Sequence, residues 1–126
     1  MRIILDTNFL VYCAKQKIDY IREISDISKG KIIVLSSVLQ ELEKIKEKAR
    51  KGKDKEAASL SLQILNKNLK EKKIRIIKTK ENADKAIQQQ ARTQDVVATM
   101  DKELKKKLKG KARILSIRQR KKLEII

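Results

Sequence analysis

The 126-residue chain has no histidine, and its one cysteine, Cys13, has no second thiol to pair with. These absences exclude a disulfide framework, a zinc site built on cysteine or histidine, and histidine-based acid–base catalysis. Aromatic rings are nearly as scarce, with only Phe9, Tyr12 and Tyr20. Nucleic-acid bases therefore find no sheet of exposed rings to stack on, and any such binding must rely on the charged backbone. No stretch approaches the roughly 20 apolar residues of a membrane-spanning helix, and no signal peptide is read ahead of the first strand. The expectation is a cytoplasmic protein without a membrane partner.

What is abundant is positive charge. Thirty-three lysines and arginines stand against 16 aspartates and glutamates, a net charge of +17. Such an excess draws polyanions and steers their encounter, which makes nucleic acid the leading partner, although a lysine-rich surface can also serve solubility alone. A hydrophobic fraction of 40% in regular aliphatic runs argues for a folded core. The length suits one domain over residues 1–126, with a basic tail at about 118–126.

Arg2-Ile3-Ile4-Leu5, Lys31-Ile32-Ile33-Val34-Leu35, Ile74-Arg75-Ile76-Ile77, Val96-Val97-Ala98-Thr99 and Ala112-Arg113-Ile114-Leu115-Ser116-Ile117 read as five strands. Helical spacing fills the intervals: residues 9–28, a helix after Ser37 with a Ser37/Gln40 capping box, residues 55–71, one opened by Asn82 or Thr79, and a short one opened by Asp101 and ended by Gly110. The charged run 46–55 around Gly52 reads as a solvated helix end and loop. Strands that are apolar throughout, alternating with helices, predict a single three-layer α/β domain. Its central parallel sheet of about five strands would be covered by helices on both faces.

In such sheets ligands bind beyond the carboxyl ends of the strands, near the point where strand order reverses. Asp6 follows the first strand directly, Glu41 lies one turn into the helix after the second, and Asp101 stands just past the fourth. Asp84, at the start of the helix after the third strand, is a fourth candidate, whereas Asp95 precedes its strand and belongs at the opposite edge. Each of these acids alone is as readily a helix cap or a surface charge. Together they would repel one another in a cleft unless a divalent cation were shared. Oxygen ligands without histidine suit Mg²⁺ or Mn²⁺, which can activate water and stabilise a leaving oxygen in phosphodiester hydrolysis.

The segment Ile4-Leu5-Asp6-Thr7-Asn8-Phe9-Leu10 resembles the opening motif of PIN-domain ribonucleases. Ser36-Ser37-Val38-Leu39-Gln40-Glu41-Leu42 and Val97-Ala98-Thr99-Met100-Asp101-Lys102-Glu103-Leu104 resemble the second and last motifs, so the resemblance spans nearly the whole chain. The pattern is most similar to archaeal PIN proteins akin to the eukaryotic small-subunit rRNA-processing endonucleases, rather than to VapC toxins. The resemblance implies metal ligation and catalysis by Asp6, Glu41 and Asp101, with Asp84, a fourth candidate from its position in the fold, next to the place of the family's third ligand. It gives Thr7, Asn8 and Thr99 supporting hydrogen bonds near the metal, and it implies pairing into a homodimer, for which the 55–71 helix offers apolar residues. The third motif departs from the family: Asn82-Ala83-Asp84-Lys85-Ala86-Ile87 carries Lys85 where relatives have a second acid. Either metal affinity is weakened, or Asp84 turns inward, or Lys85 meets the scissile phosphate.

The expected activity is metal-dependent endoribonucleolytic cleavage of structured RNA, such as an rRNA precursor. Lys85, Lys102, Lys105, Lys106, Arg118, Arg120 and Lys121 are the candidate backbone contacts. A catalytically weakened RNA-binding or ribosome-assembly factor and a VapC-like toxin are the alternatives.

Overall fold

The computed structural model describes residues 1–48, 52–119 and 121–126; Arg120 and residues 49–51 of the 46–55 run lie outside the described residues. β1 (Arg2–Leu5) leads into α1 (Thr7–Gln16) and α2 (Tyr20–Ile27). β2 (Lys31–Leu35), α3 (Ser36–Lys48), α4 (Lys53–Lys70) and β3 (Ile74–Ile77) follow. The chain continues through α5 (Ala83–Gln90), β4 (Val96–Ala98), α6 (Lys102–Lys107), β5 (Arg113–Arg118) and β6 (Lys122–Ile125).

The strands form one sheet in the order β3-β2-β1-β4-β5-β6, parallel except for β6, which runs antiparallel to β5. From β1 to β3 the chain steps one way across the sheet; at β4 it returns beside β1 and steps the other way. Because such crossovers are right-handed, this reversal sends α1 to α4 to one face and α5 and α6 to the other. The central strands are accordingly buried on both faces: Ile3, Ile4, Leu5, Val96, Val97 and Ala98 are each at most 1% exposed. That burial explains their unbroken apolar runs. β3, at the edge, departs from the expectation of full burial, with Ile76 46% exposed.

Three local expectations are corrected. The tail is the sixth strand, with Ser116 opposite Glu124 and Ile117 opposite Leu123, and Leu123 joins the core. The 9–28 helix is two helices, separated where Lys17 takes a left-handed conformation (φ 57°) and its N–H bonds back to Ala14 and Cys13. Ser37 caps nothing: β2 runs straight into α3, and the Ser37 hydroxyl instead donates to the Glu81 carbonyl and contacts the Thr79 hydroxyl. On α4, Ala58, Leu62 and Leu65 are core, while Leu60 is exposed. Gly30 allows a close approach: a Cβ there would lie 3.0 Å from both the Met1 carbonyl oxygen and Ile3 Cδ1.

At the amino-terminal edge of the sheet, Asp95 is 3% exposed and accepts from the Arg2 N–H and Nε (both 3.2 Å), from Arg2 Nη2 at 2.7 Å and from the Arg92 N–H at 3.0 Å. Burial pushes its carboxyl up, but the Arg2 guanidinium and these hydrogen bonds prevail and hold it below the ordinary carboxylate range. This bridge joins the starts of β1 and β4, at the opposite edge from the other acids, as expected from the sequence.

Candidate active site

The strand order reverses between β1 and β4, and their carboxyl ends deliver Asp6 and Thr99 side by side. The Asp6 N–H donates to the Ala98 carbonyl at 2.9 Å, fastening one strand end to the other. Asp6 caps α1 and is 6% exposed. Its Oδ1 accepts from the Thr7 N–H at 2.8 Å and its Oδ2 from the Thr99 hydroxyl at 2.7 Å. That same hydroxyl accepts from the Asp101 N–H at 3.0 Å. Asp101 in turn caps α6 through Oδ1, which accepts from the Glu103 and Leu104 N–H groups at 2.9 and 3.3 Å. One threonine therefore ties together two candidate acids far apart in sequence. Asn8 Oδ1 accepts from the Met100 N–H at 3.1 Å, pinning the first turn of α1 to the loop that precedes α6.

Burial raises the Asp6 carboxyl from an ordinary 3.8 to about 6; the Thr99 and Thr7 hydrogen bonds oppose the rise, and the charges of Glu41 and Asp101 add to it. Glu41, exposed on α3, and Asp101 thus both act electrostatically on Asp6. Negative charge is thus brought to bear on an acid that water largely no longer solvates, and a cation would relieve that cost.

The donors fit a hydrated divalent ion better than a closed cage. Among the described residues no group of three or more acidic, histidine or cysteine side chains is placed to hold a metal ion, so an ion here would be bound by one or two carboxylates and its own waters. Mg²⁺ commonly keeps several waters and binds proteins through one or two carboxylates, so an open, oxygen-only set suits it. Thr7 Oγ1, beside Asp6, is buried and meets no hydrogen-bond partner among the described residues, an orphan that a bound water would satisfy.

The third-motif residues lie apart from this network. Asp84 Oδ2 accepts from Gln88 Nε2 at 2.8 Å and lies 3.4 Å from Lys107 Nζ of α6. Lys85 is 3.7 Å from Glu81, one turn back, with its side chain 62% exposed. A cavity of about 910 Å³ lies at the sheet's other edge, lined by Cys13, Ile18, Tyr20, Gly30 and Ile32 among others; none of the four candidate carboxylates lines it.

A family model described as a PIN like domain matches residues 3–120. The chain belongs to the PIN-domain family. It is 39% identical to Ribonuclease VapC4 of Methanocaldococcus jannaschii, over 98% of this chain and 95% of that protein. It is 30% identical to Ribonuclease VapC9 of Archaeoglobus fulgidus, over 84% of this chain and 74% of that one. Among solved structures, the PIN domain endonuclease Utp24 superposes with a TM-score of 0.75 at 27% identity, covering 98% of this chain and 90% of that one. A domain of a functionally unknown M. jannaschii protein shares the fold alone, with a TM-score of 0.65 at 18% identity over 99% and 97% of the two chains.

Around this PIN site the candidate RNA contacts separate. Lys102 and Lys106 are exposed on α6, Lys106 lying 3.8 Å from Glu103. Lys105 Nζ donates to the Ser116 hydroxyl at 3.2 Å. Arg118 pairs with Glu124 across the β5–β6 hairpin at 3.1 Å, and Lys121 shares a surface cleft with Asp19, Glu23 and Asp26.

Sequence reasoning missed the hydroxyl cluster of Ser36, Ser37 and Thr79. The Thr79 N–H donates to Ser36 Oγ at 2.8 Å, and the Ser37 N–H to Thr79 Oγ1 at 3.3 Å. This cluster fixes the start of the helix bearing Glu41 against the loop leading to Asp84. Nothing local marks it, because its members meet only once β2 and β3 pair.

Proposed function

We propose that this PIN domain is a metal-dependent endoribonuclease whose hydrated ion is bound at Asp6, with Glu41 and Asp101 adding negative charge and contacts through the ion's waters. One observation carries the reading: Asp6 is buried at the strand-order reversal, hydrogen-bonded to Thr99, with the charges of Glu41 and Asp101 acting on it. Mg²⁺ or Mn²⁺, when bound, supplies a more acidic water and charge stabilisation for the leaving oxygen of a phosphodiester. Thr99 holds Asp6 and, through the Asp101 N–H, the start of α6 in register. The Thr7 hydroxyl offers a hydrogen bond to a water beside Asp6. Lys102 and Lys106 attract the RNA backbone without reading its sequence. The ribonuclease names of the sequence relatives and the endonuclease name of the structural neighbour support the reaction class.

For the substrate, the sequence resemblance to rRNA-processing PIN endonucleases is what points to structured RNA of the rRNA-precursor kind; the likeness to Utp24, a PIN domain endonuclease, at a TM-score of 0.75 supports internal cleavage. The 39% identity to a protein named VapC4 favours a second reading, a toxin-type ribonuclease. The test of both is cleavage of purified RNA with Mn²⁺ by the wild type and by Asp6→Asn, followed by end mapping in expressing cells. Metal-dependent activity lost in Asp6→Asn supports the nuclease; equal activity in both proteins points to a contaminant. Ends confined to precursor rRNA favour processing, and growth arrest with cuts in other RNAs favours the toxin reading.

A further inference from the structure

The cavity of about 910 Å³ takes no part in the proposed reaction. It opens where α1 ends, α2 begins, β2 and β3 start and α4 makes its last turns. Its walls are aliphatic: Ala14, Ile18 and Ile32 are buried, and Ile21 and Ile64 half-buried. Two buried polar side chains interrupt them. Tyr20, 2% exposed, has a hydroxyl that meets no hydrogen-bond partner among the described residues, and Asn68, 8% exposed, spends one amide N–H on the Ile64 carbonyl at 2.8 Å. Lys17, Arg22, Lys31, Lys67, Lys72 and Arg75 also line the cavity, all exposed and none ion-paired among the described residues. Against them stand Asp19, which caps α2, and Glu71, which lies 3.4 Å from Lys73. Lys17 and Lys72 each take a left-handed conformation (φ 57° and 62°) where α1 and α4 end, a place that glycine fills with less steric conflict.

We propose that this cavity is a binding site for a free nucleoside polyphosphate, separate from the catalytic edge. Its volume falls within the roughly 300–1,000 Å³ of small-molecule sites, which join apolar walls to a few placed polar groups. The aliphatic walls suit a flat ring, the Asn68 amide and the unspent Tyr20 hydroxyl suit that ring's polar edge, and the cations at the mouth suit a chain of phosphates. A fatty acid would use the walls but carries one charge and no polar edge; inorganic polyphosphate would use the cations and leave the walls empty. None of Asp6, Glu41, Asp84 or Asp101 lines the cavity, so the site works without a divalent ion at the catalytic edge.

The test is calorimetric titration of ATP and GTP into the full chain in the presence of EDTA, with adenosine and inorganic triphosphate as partial ligands. At least one of the two nucleotides is expected to bind, and adenosine and triphosphate each to bind at least about tenfold more weakly than it does. Joint replacement of Lys72→Glu and Arg75→Glu, both exposed, should weaken nucleotide binding about tenfold, whereas Lys44→Glu, an equal charge change on α3 outside the cavity, should leave it unchanged. Binding of neither nucleotide, triphosphate binding as tightly as ATP, or equal losses in the Lys44 variant and the double variant would overturn the proposal. A hairpin RNA whose affinity falls in the double variant while that of ATP does not would overturn it as well, and would assign the cavity to RNA. Each of these results leaves the nuclease reading standing, since that reading is tested by Mn²⁺-dependent cleavage and Asp6→Asn.

Discussion

Among the described residues two aspartates are buried, at opposite edges of the same sheet, and they are treated in opposite ways. Asp95, where β1 and β4 begin, has a guanidinium and two backbone N–H groups on it and is held below the ordinary carboxylate range. Asp6, where β1 ends beside β4, has one hydroxyl and one backbone N–H, two acids acting on it, and a carboxyl pushed up to about 6. The first is a structural bridge completed within the protein. The second has its charge opposed within the protein, which on the proposed reading a cation from solution would relieve, and a perturbation of that kind marks a functional centre more often than a scaffold.

The comparison is broken first by exchanging function. Asp6→Asn is expected to lower Mn²⁺-dependent RNA cleavage by roughly a hundredfold or more, since loss of even an outer hydrogen bond at a metal site costs about 10–100-fold. Asp95→Asn should leave cleavage per folded molecule near wild type; equal losses in steady-state assays would mean that the two edges do not differ in role.

Stability should move the other way. Removing Asp95 leaves Arg2 without its buried partner, so Asp95→Ala is expected to cost about 3 kcal/mol in urea denaturation at pH 7. Because the folded pKa of Asp95 is depressed, this contribution is present above the unfolded value and is lost as pH falls through the folded one. Asp6 has the reverse sign. Its raised pKa means the folded state favours the proton, so the cost of charging it is absent below about pH 4, grows between pH 4 and 6, and is full above pH 6. Metal-free Asp6→Asn should therefore exceed wild type by on the order of 2 kcal/mol at pH 7 and match it at pH 3.5. A difference independent of pH would remove the electrostatic explanation.

Thr99→Val sharpens the contrast within the active edge. Thr99 donates to Asp6 and accepts from Asp101, and its loss is expected to weaken Mn²⁺ binding about tenfold with the fold intact, as read by calorimetry and circular dichroism. The smallest effect is at the surface. Lys102→Ala should reduce the slope of RNA affinity against salt concentration by about one unit, and an unchanged slope would place the RNA path away from α6.

The strands were legible because burial on both faces demands unbroken aliphatic runs, and the caps Asp6, Asn82 and Asp101 because each stands just before a helix. The resemblance to PIN domains came from those same strand-end motifs, and the family match over residues 3–120 agrees with it. Long-range consequences were not legible. β6 looked like a basic tail because an edge strand of Lys122, Leu123, Glu124 and Ile125 has one core residue, and its identity depends on pairing with β5. The break at Lys17 has no marker, since a lysine in the left-handed region looks like any other. Ser37 carried a capping pattern, yet its hydroxyl is committed to Thr79 and Glu81 across the sheet edge.

The most direct measurement is the ionisation of the Asp6 carboxyl followed by carbon NMR, first without metal and then with saturating Mg²⁺. The shared-ion account predicts a midpoint near 6 in the metal-free protein and a fall below the usual aspartate value of about 3.9 when Mg²⁺ is added. A midpoint that stays near 6 at every Mg²⁺ concentration would contradict it.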